Sequence, residues 1–198
     1  AFRRVAERDD SDFTPRLYLN RILIELGRPE QAVTSLGRLA DANPQEFELL
    51  FWHATALARS GSPQAAREAF RKALVERPDD VPSQFGLAGA EMALRHWPEA
   101  LTALRGVLHA QPGHAEAWLQ LGLVDLQMED WRAAEGALQR ALELNPHSAE
   151  ARRELDDVRR RLGLPPAAEA SGAAPPQGAA TPAPAPGTGG PAGRPPRK

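Results

Sequence analysis

Length, composition and charge exclude several classes of function at the outset. The chain has 198 residues, a formal net charge of −2 and no cysteine, which excludes disulfides, thiol nucleophiles and thiolate metal sites. A mildly acidic chain lacks the basic stripe typical of nucleic-acid-binding proteins, and no apolar run approaches the roughly 20 residues that span a bilayer.

The first predicted element covers residues 1–12, which read AFRRVAERDDSD and align with AFRKALVERPDD at residues 69–80. Ala1 and Phe2 therefore fall two 34-residue periods before Ala69 and Phe70. We expect residues 1–12 to be the remnant of the second helix of an earlier repeat, with at least one half-repeat missing upstream.

Four units of 34 residues follow, and each is predicted to be a pair of antiparallel helices. Their boundaries are 13–46, 47–80, 81–114 and 115–148. A proline closes each unit in the same register, because proline lacks an N–H and restricts the residue before it. The closing residues are Pro44, Pro78, Pro112 and Pro146, and a ladder of Ala32, Ala66, Ala100 and Ala134 keeps the same spacing.

The unit at 115–148 carries the most complete motif. Trp118, Leu121 and Gly122 lie in its first half, Ala134 and Ala141 in its second, and Pro146 closes it. This pattern resembles the tetratricopeptide repeat, whose consensus places W-x2-L-G before an A-x3-F-x2-A segment and a proline. The resemblance implies an all-α solenoid in which the first helices of successive units line a concave groove.

Two further segments complete the predicted organisation. Residues 149–163 keep a narrow apolar stripe and are otherwise charged, as expected of a capping helix that ends the stack with a polar face. Residues 164–198 are rich in alanine, proline and glycine, and we expect them to be disordered, with polyproline-II character.

A search for catalytic and metal-binding patterns is negative. The five histidines are scattered, H-E-x-x-H does not occur, and Gly86 and Gly89 lie inside a predicted helix and not in a phosphate loop. We therefore expect a protein that is not an enzyme and has no cofactor and no metal site.

The candidate partner-binding residues lie in ladders along the predicted groove. The ladders are Leu17–Phe51–Phe85–Leu119, Arg21–Thr55–Gly89–Leu123 and Ile24–Ala58–Met92–Leu126. The lysine and asparagine clamp with which one subclass of the family holds an acidic C-terminus does not occur here, and Arg21 stands as a lone cation. The predicted site residues are Leu17, Tyr18, Arg21, Phe51, Trp52, Thr55, Phe85, Gly86, Gly89, Met92, Leu119 and Leu123.

Within that groove, Gly86 and Gly89 leave a flat place on their helix, and two interpretations of it are open. A partner's apolar side chain sits there between Trp52 and Phe85, or Trp52 itself fills the space over Gly86 when adjacent repeats pack.

These features favour a scaffold that binds a peptide or amphipathic helix of another protein in an apolar groove. Two alternatives stay open: a structural assembly module of a larger bacterial complex, of the envelope, pilus or secretin type, and a helper domain of a longer enzyme. The partner, the compartment (cytoplasm or periplasm) and the oligomeric state do not follow from the sequence.

Overall fold

The computed structural model describes residues 12–166, and every regular element in that range is an α-helix. The helices are α1 (Thr14–Glu25), α2 (Pro29–Ala42), α3 (Phe47–Arg59), α4 (Pro63–Glu76), α5 (Val81–Ala93), α6 (Trp97–Ala110), α7 (Ala115–Gln127), α8 (Trp131–Leu144) and α9 (Ala149–Arg161). Residues 1–11 and 167–198 lie outside the described range, so most of the predicted helix remnant (1–12) and most of the predicted disordered tail (164–198) lie there too.

Local chemistry explains where the helices begin. Proline occupies the first turn of α1, α2, α4, α5 and α6, where its missing N–H costs no helical hydrogen bond. Four helices, α5 again among them, begin after a side chain that accepts a hydrogen bond from a first-turn N–H. Asp80, His114, Asp130 and Ser148 act in this way at α5, α7, α8 and α9.

The turn that follows each first helix repeats with the 34-residue period. One residue in each turn has a positive φ, between 60° and 75°, and the next N–H bonds back to a carbonyl in the last helical turn, which is a Schellman cap. Glycine supplies this conformation three times and a non-glycine residue twice. The five residues are Gly27, Gly61, Arg95, Glu129 and Gly163.

The helices stack in chain order, each packing on the next, and the first helices also touch across the hairpins, α1 on α3 and α3 on α5. The buried core runs along the stack as overlapping clusters in which alanines alternate with leucines and phenylalanines. The small side chains let helices approach closely while the large ones fill the gaps. This arrangement confirms the predicted all-α solenoid.

The C-terminal helix α9 closes the stack on α8. It buries Ala151, Leu155 and Val158, while nearly all its other positions are charged. α9 thus packs its apolar side on α8 and turns charged residues outward, which is the pattern expected of a capping helix. No helix in residues 12–166 is long and apolar enough to cross a bilayer.

A candidate protein-binding surface

The predicted site residues fall on α1, α3, α5 and α7, and we call the surface that these first helices share the groove face. Burial divides the residues into three groups. Leu17 and Leu119 are buried in the core, so they have little surface left for a partner. Tyr18 and Gly89 are exposed. The remaining eight are partly buried: Arg21, Phe51, Trp52, Thr55, Phe85, Gly86, Met92 and Leu123.

Phe51 lies at the centre of an aromatic cluster and not at its edge. Its ring stacks on Phe47 at 6.0 Å between centroids and meets Trp52 and Phe70 edge-on at 5.3 and 6.4 Å. Such contacts contribute roughly 0.5–1.5 kcal/mol each beyond area burial. Phe51 therefore has a structural role, and replacing it would disturb the fold as well as the groove face.

The space over Gly86 is filled by Phe70, which contradicts the interpretation that Trp52 fills it and leaves no room for a partner's side chain at this glycine. A Cβ atom on Gly86 would lie 2.6 and 2.8 Å from Cε1 and Cε2 of Phe70 and closer still to Cζ. Neither Trp52 nor a partner occupies that position, because α4 packs directly against α5 and carries Phe70 into the gap. Gly122 is crowded in the same way by Leu138.

Gly89, one turn further along α5, is different. A Cβ atom there would have no neighbour within 4 Å, so the backbone is open to solvent at this point of the groove face. A glycine inside a helix costs about 1 kcal/mol relative to alanine, and no packing contact at Gly89 requires it. Of the two glycines Gly86 and Gly89, only Gly89 leaves the open, flat place on α5 that the sequence predicts.

The neighbours of Gly89 in the ladders provide apolar surface on either side. Phe85 packs on the ring of His114 at 4.9 Å between centroids, and Met92 lies at the margin of the core of α5–α7. Leu123 continues this strip on α7, whereas Thr55 turns its hydroxyl to the carbonyl of Phe51 at 2.9 Å. The C-terminal half of the groove face is therefore apolar, with a shallow centre.

The N-terminal half carries a cation. The Arg21 guanidinium lies 4.6 Å from the Trp52 ring centroid and 5.4 Å from that of Tyr18, a cation–π arrangement worth roughly 0.5–2 kcal/mol. Its Nε is buried without a hydrogen-bond partner, and none of residues 12–166 forms an ion pair with it. Both rings lie against the guanidinium, and no carboxylate in the range 12–166 pairs with its charge.

A cleft that has no signature in the sequence lies among α2, α3 and α4. Its volume is about 520 Å³, and Leu50, His53 and Leu57 of α3 are among its lining residues. Burial lowers the pKa of His53, with Asp41 opposing and Lys72 reinforcing that shift. Exposed Val75 also lines the cleft.

Two carboxyl groups are buried at positions 34 residues apart, in α5 and α7. Glu91 is bound by Arg71 and His96, with N–O distances of 2.9 Å to each. The residues one period later are Asp125, Arg105 and Asp130.

The later set lacks the contacts of the earlier one. Asp125, whose side chain is shorter than that of Glu91, forms no ion pair within the described chain. Asp130 stands at the position that corresponds to His96. Burial, followed by repulsion from Asp130, raises the pKa of Asp125 to about 6.

No group of three or more histidine, aspartate or glutamate side chains in residues 12–166 is arranged to hold a metal ion.

Comparisons with known proteins agree with the observed stack of helical hairpins. Three family profiles, each described as tetratricopeptide repeat, match residues 21–81, 57–124 and 115–148. The chain is a tetratricopeptide-repeat protein. Comparison with curated protein sequences gave no significant match.

Several solved structures are similar in fold to this tetratricopeptide-repeat protein. MamA 41-end from Desulfovibrio magneticus RS-1 is 26% identical, with a TM-score of 0.69 over 74% of this chain and 82% of that chain. The thermophilic TPR protein TTC0263 of Thermus thermophilus is 27% identical, with a TM-score of 0.61 over 77% and 84%. Pseudomonas aeruginosa PilF, at 22% identity, has a TM-score of 0.66 over 74% and 67%.

Family membership defines the general role of the protein. Tetratricopeptide-repeat proteins bind other proteins and are generally non-enzymatic interaction scaffolds. The predicted family and the predicted class of fold are both confirmed, while the residues of the groove face stay a prediction.

Proposed function

We propose that this tetratricopeptide-repeat protein is a non-enzymatic scaffold whose groove face binds a peptide or amphipathic helix of another protein. The units 13–46, 47–80, 81–114 and 115–148 each contribute one first helix to that face. The observation that carries the proposal is the open backbone at Gly89, which is bordered by partly buried apolar side chains.

The groove face has two chemically different halves, and the partner we propose matches both. Apolar side chains of the partner pack on Phe85, Met92 and Leu123 around Gly89. An acidic side chain pairs with Arg21, whose charge has no counterion within the described chain. The partner is thus an amphipathic segment with a carboxylate near one end of its apolar stripe.

We expect the affinity for such a partner to be modest. Burial of apolar surface contributes about 25 cal/mol per Å² to the binding free energy. The cost of ordering the partner and the cost of its lost rotational freedom are subtracted from that total. The position of Arg21 lowers one of these costs, because the guanidinium already lies against the rings of Trp52 and Tyr18.

Site-specific photocrosslinking tests the location of binding. A photoreactive amino acid at position 89 is compared with the same residue at Gly136, another exposed helical glycine with open space around it. A third probe at Val75 reports on the cleft between α2 and α4.

In cells that express the full-length protein, we expect a discrete adduct from position 89 alone. Adducts from position 75 alone would place the site in the cleft and reject the groove face. Equal labelling from positions 89 and 136 would show that binding is not localised.

A further inference from the structure

The helices α5, α7 and α9 share a hydrogen bond that α3 lacks. In each of the three, the fourth residue donates a side-chain N–H to the carbonyl oxygen of the proline that precedes the helix. The bonds join Gln84 to Pro78 at 2.8 Å, Trp118 to Pro112 at 2.9 Å and Arg152 to Pro146 at 2.7 Å. The fourth residue of α3 is Leu50, which has no donor, and no group within residues 12–166 donates to the carbonyl oxygen of Pro44.

Trp118 of α7 shows what fills the interface that surrounds this hydrogen bond. Its ring packs against the cluster that contains Leu108 of α6 and Ala137 of α8. The residues two periods earlier are Ala40 and Ala69, and both line the cleft between α2 and α4. The cleft therefore lies at the place that an indole ring occupies two hairpins later.

Two smaller side chains make the earlier interface more open. Leu50 takes the place of the tryptophan, and Ala40 takes the place of a leucine. The cleft has a volume of about 520 Å³, which falls in the range of roughly 300–1,000 Å³ typical of small-molecule sites. A smaller residue at this position does not by itself predict a cleft, because Gln84 at the equivalent position lies against Gly106 of α6.

The exposed part of the lining is mainly acidic. Glu68 is paired with Arg67 at 2.8 Å, whereas Asp41 and Glu76 form no ion pair with any residue that the structure describes. Burial lowers the pKa of His53, so its imidazole adds no positive charge at neutral pH. The lining thus favours a ligand with a cationic group. The charged side chains of the lining are Asp41, Glu68, Lys72 and Glu76.

We propose that the cleft between α2 and α4 binds a small molecule that carries an indole ring and an ammonium group. The ring packs on Leu50, and its N–H donates to the carbonyl oxygen of Pro44, as Trp118 does to Pro112 in the later hairpin. The ammonium group lies beside the carboxylates of the lining. The proposal does not depend on what the groove face binds.

Tryptamine is the probe, and three related compounds each change one feature of it. Its ring-N-methylated analogue lacks the donor, and indoleacetate carries a carboxylate in place of the ammonium group. N-acetyltryptophanamide mimics a tryptophan within a peptide. An amide NMR titration at neutral pH gives the dissociation constant and also shows which helices respond.

We expect tryptamine to bind with a dissociation constant on the order of a millimolar and to shift amides of α2, α3 and α4. The methylated analogue should bind about three- to tenfold more weakly, because it cannot donate to Pro44. Indoleacetate should bind at least about threefold more weakly, because its charge repels the acidic lining.

Two outcomes would overturn the proposal. Equal affinity for tryptamine, its methylated analogue and indoleacetate would mean that the ring partitions without recognition. Tighter binding of N-acetyltryptophanamide than of tryptamine would assign the cleft to a segment of another protein.

Variants that fill the cleft from within test its location. Leu50→Trp introduces the residue of the later hairpin, and Ala40→Leu introduces the equivalent of Leu108. Gly136→Trp is the matched control, because it places the same side chain on α8 with open space around it. The milder Ala40→Leu keeps the test decisive if the tryptophan disrupts folding, which circular dichroism detects.

We expect Leu50→Trp to abolish detectable binding of tryptamine, Ala40→Leu to weaken it at least about threefold and Gly136→Trp to bind like the parent. Parental affinity in folded Leu50→Trp or in Ala40→Leu would overturn the assignment of the cleft as the site.

Discussion

A matched pair of glycine substitutions on α5 tests how the hairpins pack. Gly86→Ala adds one methyl group directly beneath the ring of Phe70, within 2.6 and 2.8 Å of two ring carbons. Gly89→Ala adds the same methyl group into open space. Both replacements gain about 1 kcal/mol of helix propensity, so that contribution cancels in the comparison.

The contact with Phe70 determines the sign of the effect at Gly86. Phe70 is buried and cannot swing into solvent, so α4 and α5 must separate or the ring must leave its rotamer. Overpacking of this kind costs about 1–3 kcal/mol. We therefore expect Gly86→Ala to be neutral or up to about 2 kcal/mol less stable than the parent, and Gly89→Ala to be up to about 1 kcal/mol more stable.

Urea unfolding followed by circular dichroism measures both variants and a double variant. Adding Phe70→Leu to Gly86→Ala removes the crowding ring, so the double variant is expected to lose less stability than the two single losses combined. If Gly86→Ala is stabilised as much as Gly89→Ala, the packing of Phe70 over Gly86 is refuted.

Three further predictions concern buried charge and backbone strain. Burial raises the pKa of Asp125 in the folded state from 3.8 to about 6, so its contribution to stability is present below about pH 4 and is lost as the pH rises through 6. We therefore expect Asp125→Asn to raise the unfolding free energy by up to about 3 kcal/mol at pH 7 and to change it little at pH 4. An equal effect at both pH values would contradict this. Glu129 has a φ of 60°, so we expect Glu129→Gly to stabilise the chain by roughly 1 kcal/mol and Gly61→Ala to destabilise it. Melting temperatures that shift in the same direction in both variants would exclude backbone strain at this turn. Arg71→Ala removes the arginine partner of buried Glu91 and leaves only His96. We expect the unfolding free energy from urea unfolding to fall by about 1–3 kcal/mol. A fall below about 0.5 kcal/mol would show that solvent replaces the ion pair.

The fold was accessible from the sequence because its determinants repeat. A proline, an alanine and an apolar residue recurring at 34 residues specify the same hairpin each time. The groove face was less accessible, because exposure depends on how neighbouring helices pack. Leu17 and Leu119 belong to a groove ladder by spacing yet are buried, and the gap over Gly86 receives a ring from α4, not α3.

The buried carboxyl groups, the turns with positive φ and the cleft differ in how far the sequence predicts them. Glu91 and Asp125 stand one period apart where the first two units have leucine, so comparing the units would have identified two buried carboxyl groups. Arg95 and Glu129 occupy the turn position that Gly27 and Gly61 hold, but their sequence gives no sign of a positive φ. The cleft between α2 and α4 depends on three-dimensional spacing and had no signature at all.

The affinity of a crosslinked partner for two bulky variants tests the central claim most directly. Gly89→Trp fills the open centre of the groove face, and Gly136→Trp places the same side chain on α8 with equally open surroundings. By titration calorimetry we predict that Gly89→Trp weakens binding at least about tenfold, or about 1.4 kcal/mol, while Gly136→Trp binds like the parent. Unchanged affinity in Gly89→Trp, in a protein that remains folded, would contradict binding on the groove face.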